Sequence, residues 1–173
     1  MKNYVEYLGA AYLVFELPKF SFKPKDVLRG ERKVYAVNTG MVNAVIPKVS
    51  ENIGRLMKNA VFLELLRLKH YRKPGVELYH YRDEKGEVDF VVRGGEETEL
   101  IQVTYASGMD EIASREVKNL FRAMESFGLK EGTLVTWDYS REVELNGLRV
   151  NAIPLWRWLL NPHVKLFNFE ANF

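Results

Sequence analysis

The stretch Gly86-Glu87-Val88-Asp89-Phe90-Val91-Val92, followed by Leu100-Ile101-Gln102-Val103-Thr104-Tyr105, decides how this chain is read. Both runs favour strands, and turn formers bound them: Asp83-Glu84-Lys85-Gly86 before the first, Gly94-Gly95 after it. Side chains alternate along a strand, so Gln102 and Thr104 share a face. By the same alternation Val88 and Phe90 are expected to pack together on the side opposite Asp89. An earlier run, Glu77 to Arg82, reads as a strand joined to Glu87–Val92 by the Asp83–Gly86 turn.

Working outward, Ile53, Met57, Ala60, Val61, Leu65 and Leu68 recur at three and four residues. They predict a helix from Ser50 to about Lys69, with Ser50 as its cap and Lys73-Pro74-Gly75 after its end. Ala113, Val117, Leu120, Phe121, Met124 and Phe127 give a second helix over 110–127, stopped at Gly128. Thr133 to Trp137 is a strand. Asn146-Gly147 joins two further short strands near Val143 and Leu148–Ile153, and Pro154 opens a helix over Leu155–Leu160. On the N-terminal side, Tyr12–Leu17 and Lys33–Val37 read as strands flanking a loop over residues 18–32. The expected organisation is an N-terminal subregion, 1–49, and a main domain, 50–173, that closes with a hairpin, a short helix and an aromatic tail. The class is α/β: a mixed sheet with helices on it, in the order αβββαβ.

The chain is 173 residues long, 47% hydrophobic and 28% charged, which suits a folded domain and excludes a disordered or fibrous chain. It has no cysteine, so disulfides and thiolate metal sites are excluded. Apolar runs such as Val61–Leu63 are far too short to span a bilayer. The N-terminal residues include an acid and no apolar core of a signal peptide. The expectation is a cytoplasmic protein with no membrane partner. A net charge of +2 does not announce a nucleic-acid binder, which would have to gather its cations on one face.

An acid on one strand beside a polar pair at i and i+2 on the next is how metal-dependent nucleases hold a divalent ion. Mg²⁺ takes oxygen ligands, usually one or two carboxylates, and would polarise a phosphate and activate water. Asp89 is the candidate metal ligand, with Gln102 beside it. The alternative is an ordinary acid at the mouth of a hairpin.

Several linked strings carry a resemblance: Lys58-Asn59-Ala60-Val61-Phe62-Leu63-Glu64, Glu77-Leu78-Tyr79-His80-Tyr81-Arg82-Asp83, Gly86 to Val92, Leu100 to Val103, Arg115-Glu116-Val117, Leu134 to Asp138 and Ile153-Pro154-Leu155-Trp156. Over most of residues 33–160 the chain resembles the C-terminal domain of archaeal-type AAA P-loop ATPases. The resemblance implies a restriction-endonuclease-like core of the PD-(D/E)xK type, and a P-loop ATPase module or a homologous chain as partner. The chain departs from the nuclease pattern where it matters. Gln102-Val103-Thr104 stands in place of Glu-x-Lys, and Lys58-Asn59 where the family often has Glu-Asn. No Gly-x-x-x-x-Gly-Lys-Ser/Thr string occurs.

Glu64 lies on the apolar stripe of the first helix. It either approaches the site or holds a cation such as Arg82, since a buried carboxylate is costly unless paired. His80 reads as a packed histidine. Arg115, Lys118 and Arg122 form a basic stripe that could meet phosphate, or a solvated face paired with Glu116 and Glu125. Trp156 and Trp158 are expected to pack on the sheet, and the tail Val164–Phe173 to cover this domain or dock on another chain. The leading expectation is an accessory, catalytically inactive, nucleic-acid-binding domain that requires no cofactor. The alternatives are an Mg²⁺-dependent nuclease with a relocated lysine such as Lys118, and a protein-binding adaptor.

Overall fold

A computed structural model of the protein describes residues 2–45, 51–84, 86–108 and 114–161. Six strands form one mixed sheet: β3 (Glu77–Arg82), β4 (Glu87–Gly94), β5 (Glu97–Val103), β6 (Glu131–Thr136), β8 (Leu148–Pro154) and β7 (Arg141–Leu145), in that spatial order. The meander β3–β4–β5 and the β7–β8 hairpin are antiparallel. The pairs β5–β6 and β6–β8 are parallel. A parallel pair needs a long crossover, and α5 (Ser114–Phe127) supplies it between β5 and β6. Asn146 and Gly147 turn the hairpin with φ of 53° and 75°, the left-handed pair that a two-residue turn of this hand demands.

Each face of the sheet buries one apolar cluster. On one side α4 (Glu51–Tyr71) lays Met57, Val61, Leu65 and Leu68 over Phe90, Val92 and Ile101, with Trp158 of α6 (Leu155–Leu160) beside them. On the other, Leu120 and Met124 of α5 cover Val88, Val91, Leu100 and Leu134. Gly128, at φ 67°, ends α5, and Leu129 N–H returns to the Met124 carbonyl at 2.8 Å.

The N-terminal residues form a two-stranded ribbon, β1 (Val14–Pro18) with β2 (Arg32–Ala36). Its Leu17 and Tyr35 enter the α4-side cluster, and Phe20 enters the α5-side cluster. Phe20 N–H bonds to the His80 carbonyl at 2.7 Å, which ties the ribbon to β3. Helices α1 (Lys2–Ala10) and α3 (Thr39–Val45) flank the ribbon, and residues 18–32, read above as a loop, contain α2 (Pro24–Arg29), which opens on a proline. The first strand begins at Val14 rather than Tyr12, which sits at φ 56° and cannot continue an extended run. Ser50 as a cap, residues 110–113 of the second helix and the aromatic tail lie outside the described residues.

Candidate functional site

A bulge in β4 builds the site. Tyr79 pairs with Val91 and Tyr81 with Val88, so Asp89 and Phe90 together face the single residue His80. The extra residue breaks the alternation expected from the sequence. Val88 packs with the α5-side cluster and Phe90 with the α4-side cluster, so these two do not share a face. A bulge of this kind leaves one backbone group unpaired and re-aims a side chain. Here the orphaned Asp89 N–H donates to Gln102 Oε1 at 3.1 Å, and Asp89 Oδ2 accepts from Val103 N–H at 3.0 Å. The β4–β5 pairing stops at Phe90 and Ile101, and the two side chains replace the ladder beyond it. Asp89, Gln102 and Thr104 are all buried.

Two lysines meet the other carboxylate oxygen. Lys58 Nζ of α4 lies 2.8 Å from Asp89 Oδ1, and Lys33 Nζ of β2 lies 3.4 Å from the same atom. Lys33 also pairs with Glu87. Asn59, next to Lys58, fastens β2 in place. Its Oδ1 accepts from Ala36 N–H at 2.8 Å, and its Nδ2 donates to the Ala36 carbonyl at 2.9 Å. Tyr35 stacks on Phe62 at 4.3 Å between ring centres, which locks the same strand against α4.

The electrostatics follow from this packing. Burial alone would lower the pKa of Lys58, but the charge and hydrogen bond of Asp89, helped by Glu116 and Glu87, hold it above its usual value. Burial would likewise raise Glu87, and Lys33 outweighs it and keeps the carboxyl below its ordinary range. Burial, with the Asp89 and Glu87 charges behind it, pushes the Tyr35 hydroxyl far up, so it stays neutral. Glu116, of α5, has a buried Oε2 with no hydrogen-bond partner among the described residues. Among the described residues the site is therefore a network of Lys33 and Lys58 with Asp89 and Glu87, and the charge of Glu116 acts on Lys58 from α5. Among the described residues no group of three or more His, Asp or Glu side chains is placed to hold a metal ion.

The other residues singled out in the sequence go elsewhere. Glu64 does not pair with Arg82. It is held by Arg67 on its own helix, with contacts of 2.5 and 2.8 Å, because a three-residue offset is closer than a strand in another layer. Arg82 lies 3.6 Å from Glu31 instead. Lys118 and Arg122 are exposed on α5, and the lysines at Asp89 are Lys33 and Lys58 rather than Lys118. The side chain of Arg115 lies outside the described residues. Arg122 borders a concavity that also holds Asp83, Glu84 and Glu125, a setting of mixed charge. Trp158 is buried, but Trp156 is 57% exposed and does not pack on the sheet as expected. His80 is fully buried, as read from the sequence.

Lys33 and Lys58 were missed as partners of Asp89, although the signal was there. Lys33 shares its strand face with Tyr35, two residues on, and Lys58 precedes Phe62 and Leu65 at helical spacing. A cation on a buried face calls for a buried acid.

The family described as a domain of unknown function, DUF4143, matches residues 53–158, more than half of the chain, including Lys58, Asp89, Gln102 and all of α5. The chain belongs to this family. Lys33 lies outside the residues matched to DUF4143. The uncharacterized protein MJ1544 of Methanocaldococcus jannaschii is 34% identical over 164 residues, covering 91% of this chain and 35% of that protein. An uncharacterized protein of Haemophilus influenzae is 24% identical over 156 residues, 90% of this chain and 36% of that one. The chain thus spans about a third of the length of the curated relatives it matches. Among solved structures, the refined half-complex of Thermococcus gammatolerans McrB AAA+ hexamers with bound McrC is similar over 59% of this chain and 28% of that one, at 12% identity and a TM-score of 0.44. Among the described residues no helix is long and apolar enough to cross a membrane.

Proposed function

We propose that this DUF4143 domain is a catalytically inactive, restriction-endonuclease-like accessory domain of a longer protein, and that it binds nucleic acid without cutting it. One observation carries the reading. Asp89, the carboxylate a metal-dependent nuclease would use, spends both oxygens inside the chain, on Val103 N–H and on Lys58. Gln102 offers no charge, and its carbonyl oxygen is already taken by Asp89 N–H. Mg²⁺ sheds its hydration shell reluctantly and needs anionic oxygens to do so. An ammonium on the carboxylate repels it from that position. Removing one electrostatic group from a catalytic site costs about 10²–10³ in rate, and here Gln102 and Thr104 stand where the nuclease pattern has its second acid and its lysine, while Lys33 and Lys58 are paired with carboxylates.

The resemblance noted in the sequence makes a P-loop ATPase module the partner we infer for the remainder of the longer protein. Lys118 and Arg122, exposed on α5, are the cations proposed to meet phosphate. The test is incubation of the pure protein with single- and double-stranded DNA and RNA, with Mg²⁺ and then Mn²⁺. Binding that weakens with salt and with Lys118→Glu or Arg122→Glu, and no cleavage, is the expected result. Cleavage that disappears in Asp89→Ala would establish an active nuclease instead. Neither binding nor cleavage would favour a protein-binding adaptor.

A further inference from the structure

Tyr105 and Trp137 stand beyond the ends of the parallel strands β5 and β6, with ring centres 5.6 Å apart and planes inclined at 62°. Both residues are exposed, Tyr105 by 44% and Trp137 by 45%. Exposed aromatic residues are common, but the backbone that carries these two is tied on both sides. Thr104 N–H bonds to the Val135 carbonyl at 2.9 Å and Trp137 N–H to the Ala106 carbonyl at 3.0 Å, so the two loops continue the strand pairing. Thr136, fully buried, hydrogen-bonds in both directions to the Tyr139 backbone and closes the loop behind the indole. The carboxyl ends of parallel strands are where open α/β sheets bind ligands.

The surroundings point to the class of ligand. The sequence neighbours of the pair that reach solvent are Ser107, Gly108 and Asp138, none of them aliphatic as in an apolar protein-docking patch. The Tyr105 side chain meets α4 at Gly54, 3.9 Å from where a side chain would begin, and the exposed Arg55 follows directly on that helix. Two partly exposed rings set edge to face, and a cation on the adjoining helix, suit a planar base joined to a phosphate. Bases in a duplex have no free faces, whereas unpaired bases stack readily on aromatic side chains.

We infer that Tyr105 and Trp137 form a stacking platform for a base of single-stranded nucleic acid. This rests on the nucleic-acid role proposed above and names the form of the ligand.

The experiment compares binding of a fluorescent oligothymidylate and an abasic oligomer of the same length and charge, by anisotropy, at several salt concentrations. The wild type binds the oligothymidylate more tightly than the abasic oligomer. Trp137→Ala and Tyr105→Ala each weaken oligothymidylate binding about tenfold with the salt slope unchanged, and Trp137→Phe retains most of it. Circular dichroism confirms that each variant is folded, and Tyr105→Ala carries the test if Trp137→Ala is not. Equal binding of the two oligomers by the wild type overturns the platform. So does retained binding in both alanine variants, and in that case loss through Lys118→Ala and Arg122→Ala keeps the wider nucleic-acid reading intact. No binding of either oligomer overturns the platform, and the absence of duplex binding as well overturns the nucleic-acid reading with it.

Discussion

Lys58 Nζ lies 2.8 Å from Asp89 Oδ1, so the one fully buried carboxylate of the candidate site is neutralised by a side chain of the helix that packs over it. The same carboxylate closes the strand ladder through Val103 N–H. A group held from two directions in this way is a fastening between α4, β4 and β5, and its removal should be felt in stability.

Asp89→Ala leaves Lys58 without its closest partner and Val103 N–H without an acceptor. Breaking a buried pair by removing one member costs about 3–5 kcal/mol. Lys58→Met is milder, because Lys33 still stands 3.4 Å from the carboxylate. The double variant Asp89→Ala with Lys58→Met removes both charges, and its loss should fall short of the sum of the single losses by about 1–3 kcal/mol. Urea unfolding of the four proteins measures this. Strict additivity would show that the two side chains do not interact.

Lys58→Glu inverts the charge next to Asp89. In chelator the variant should unfold at a lower urea concentration than the wild type, since two carboxylates then share a buried position beside Glu87. Adding Mg²⁺ or Mn²⁺ should recover stability, by about 2.7 kcal/mol at a hundred times the dissociation constant. The wild-type midpoint should not move with either ion. A metal-dependent shift in the wild type would mean that Lys58 does not block the position.

His80 gives the protein a pH dependence of predictable sign. Burial, then the charge of Lys33, holds its pKa below the ordinary 6.5, and its Nδ1 has no partner among the described residues. Below pH 6.5 the unfolded chain takes up a proton that the folded one does not, so stability falls as the pH drops. Glu87, whose pKa is lowered from 4.5, loses its contribution only as the pH falls through that lower folded value. The interval between pH 6.5 and 4.5 therefore reports on His80 without Glu87. His80→Phe should flatten the decline there, read from unfolding midpoints at a series of pH values. An unchanged slope would place the proton uptake elsewhere.

Glu64→Ala should cost less than about 1 kcal/mol, because its partner Arg67 is half exposed and such pairs contribute little. Nucleic-acid binding should be unaffected. A loss of binding in this variant, with stability retained, would return Glu64 to the candidate site.

Most of the sheet and its two long helices were legible in the sequence because their signals are local. Apolar residues at helical spacing mark α4 and α5, and Asn146-Gly147 marks a turn whose two positive φ angles few other residues adopt. The closeness of Asp89 and Gln102 followed from pairing two adjacent strands. The short helices α1, α2 and α3 were missed, since a few turns against a ribbon need no full apolar stripe.

The tertiary structure alone decided what Asp89 does. Its role depends on a bulge, and a bulge is a property of two strands in register, invisible in either one. The bulge sent Val88 and Phe90 to opposite faces and freed the N–H that Gln102 accepts. The partners of Asp89 come from 56 and 31 positions earlier in the chain, Lys33 and Lys58, and only the packing of β2 under α4 brings them to one oxygen. Sequence by itself determined which side chains carry charge and which strands they ride on. Whether a charge is spent inside the protein or left for a ligand was decided by distance, and distance between remote residues is set by the packing of layers.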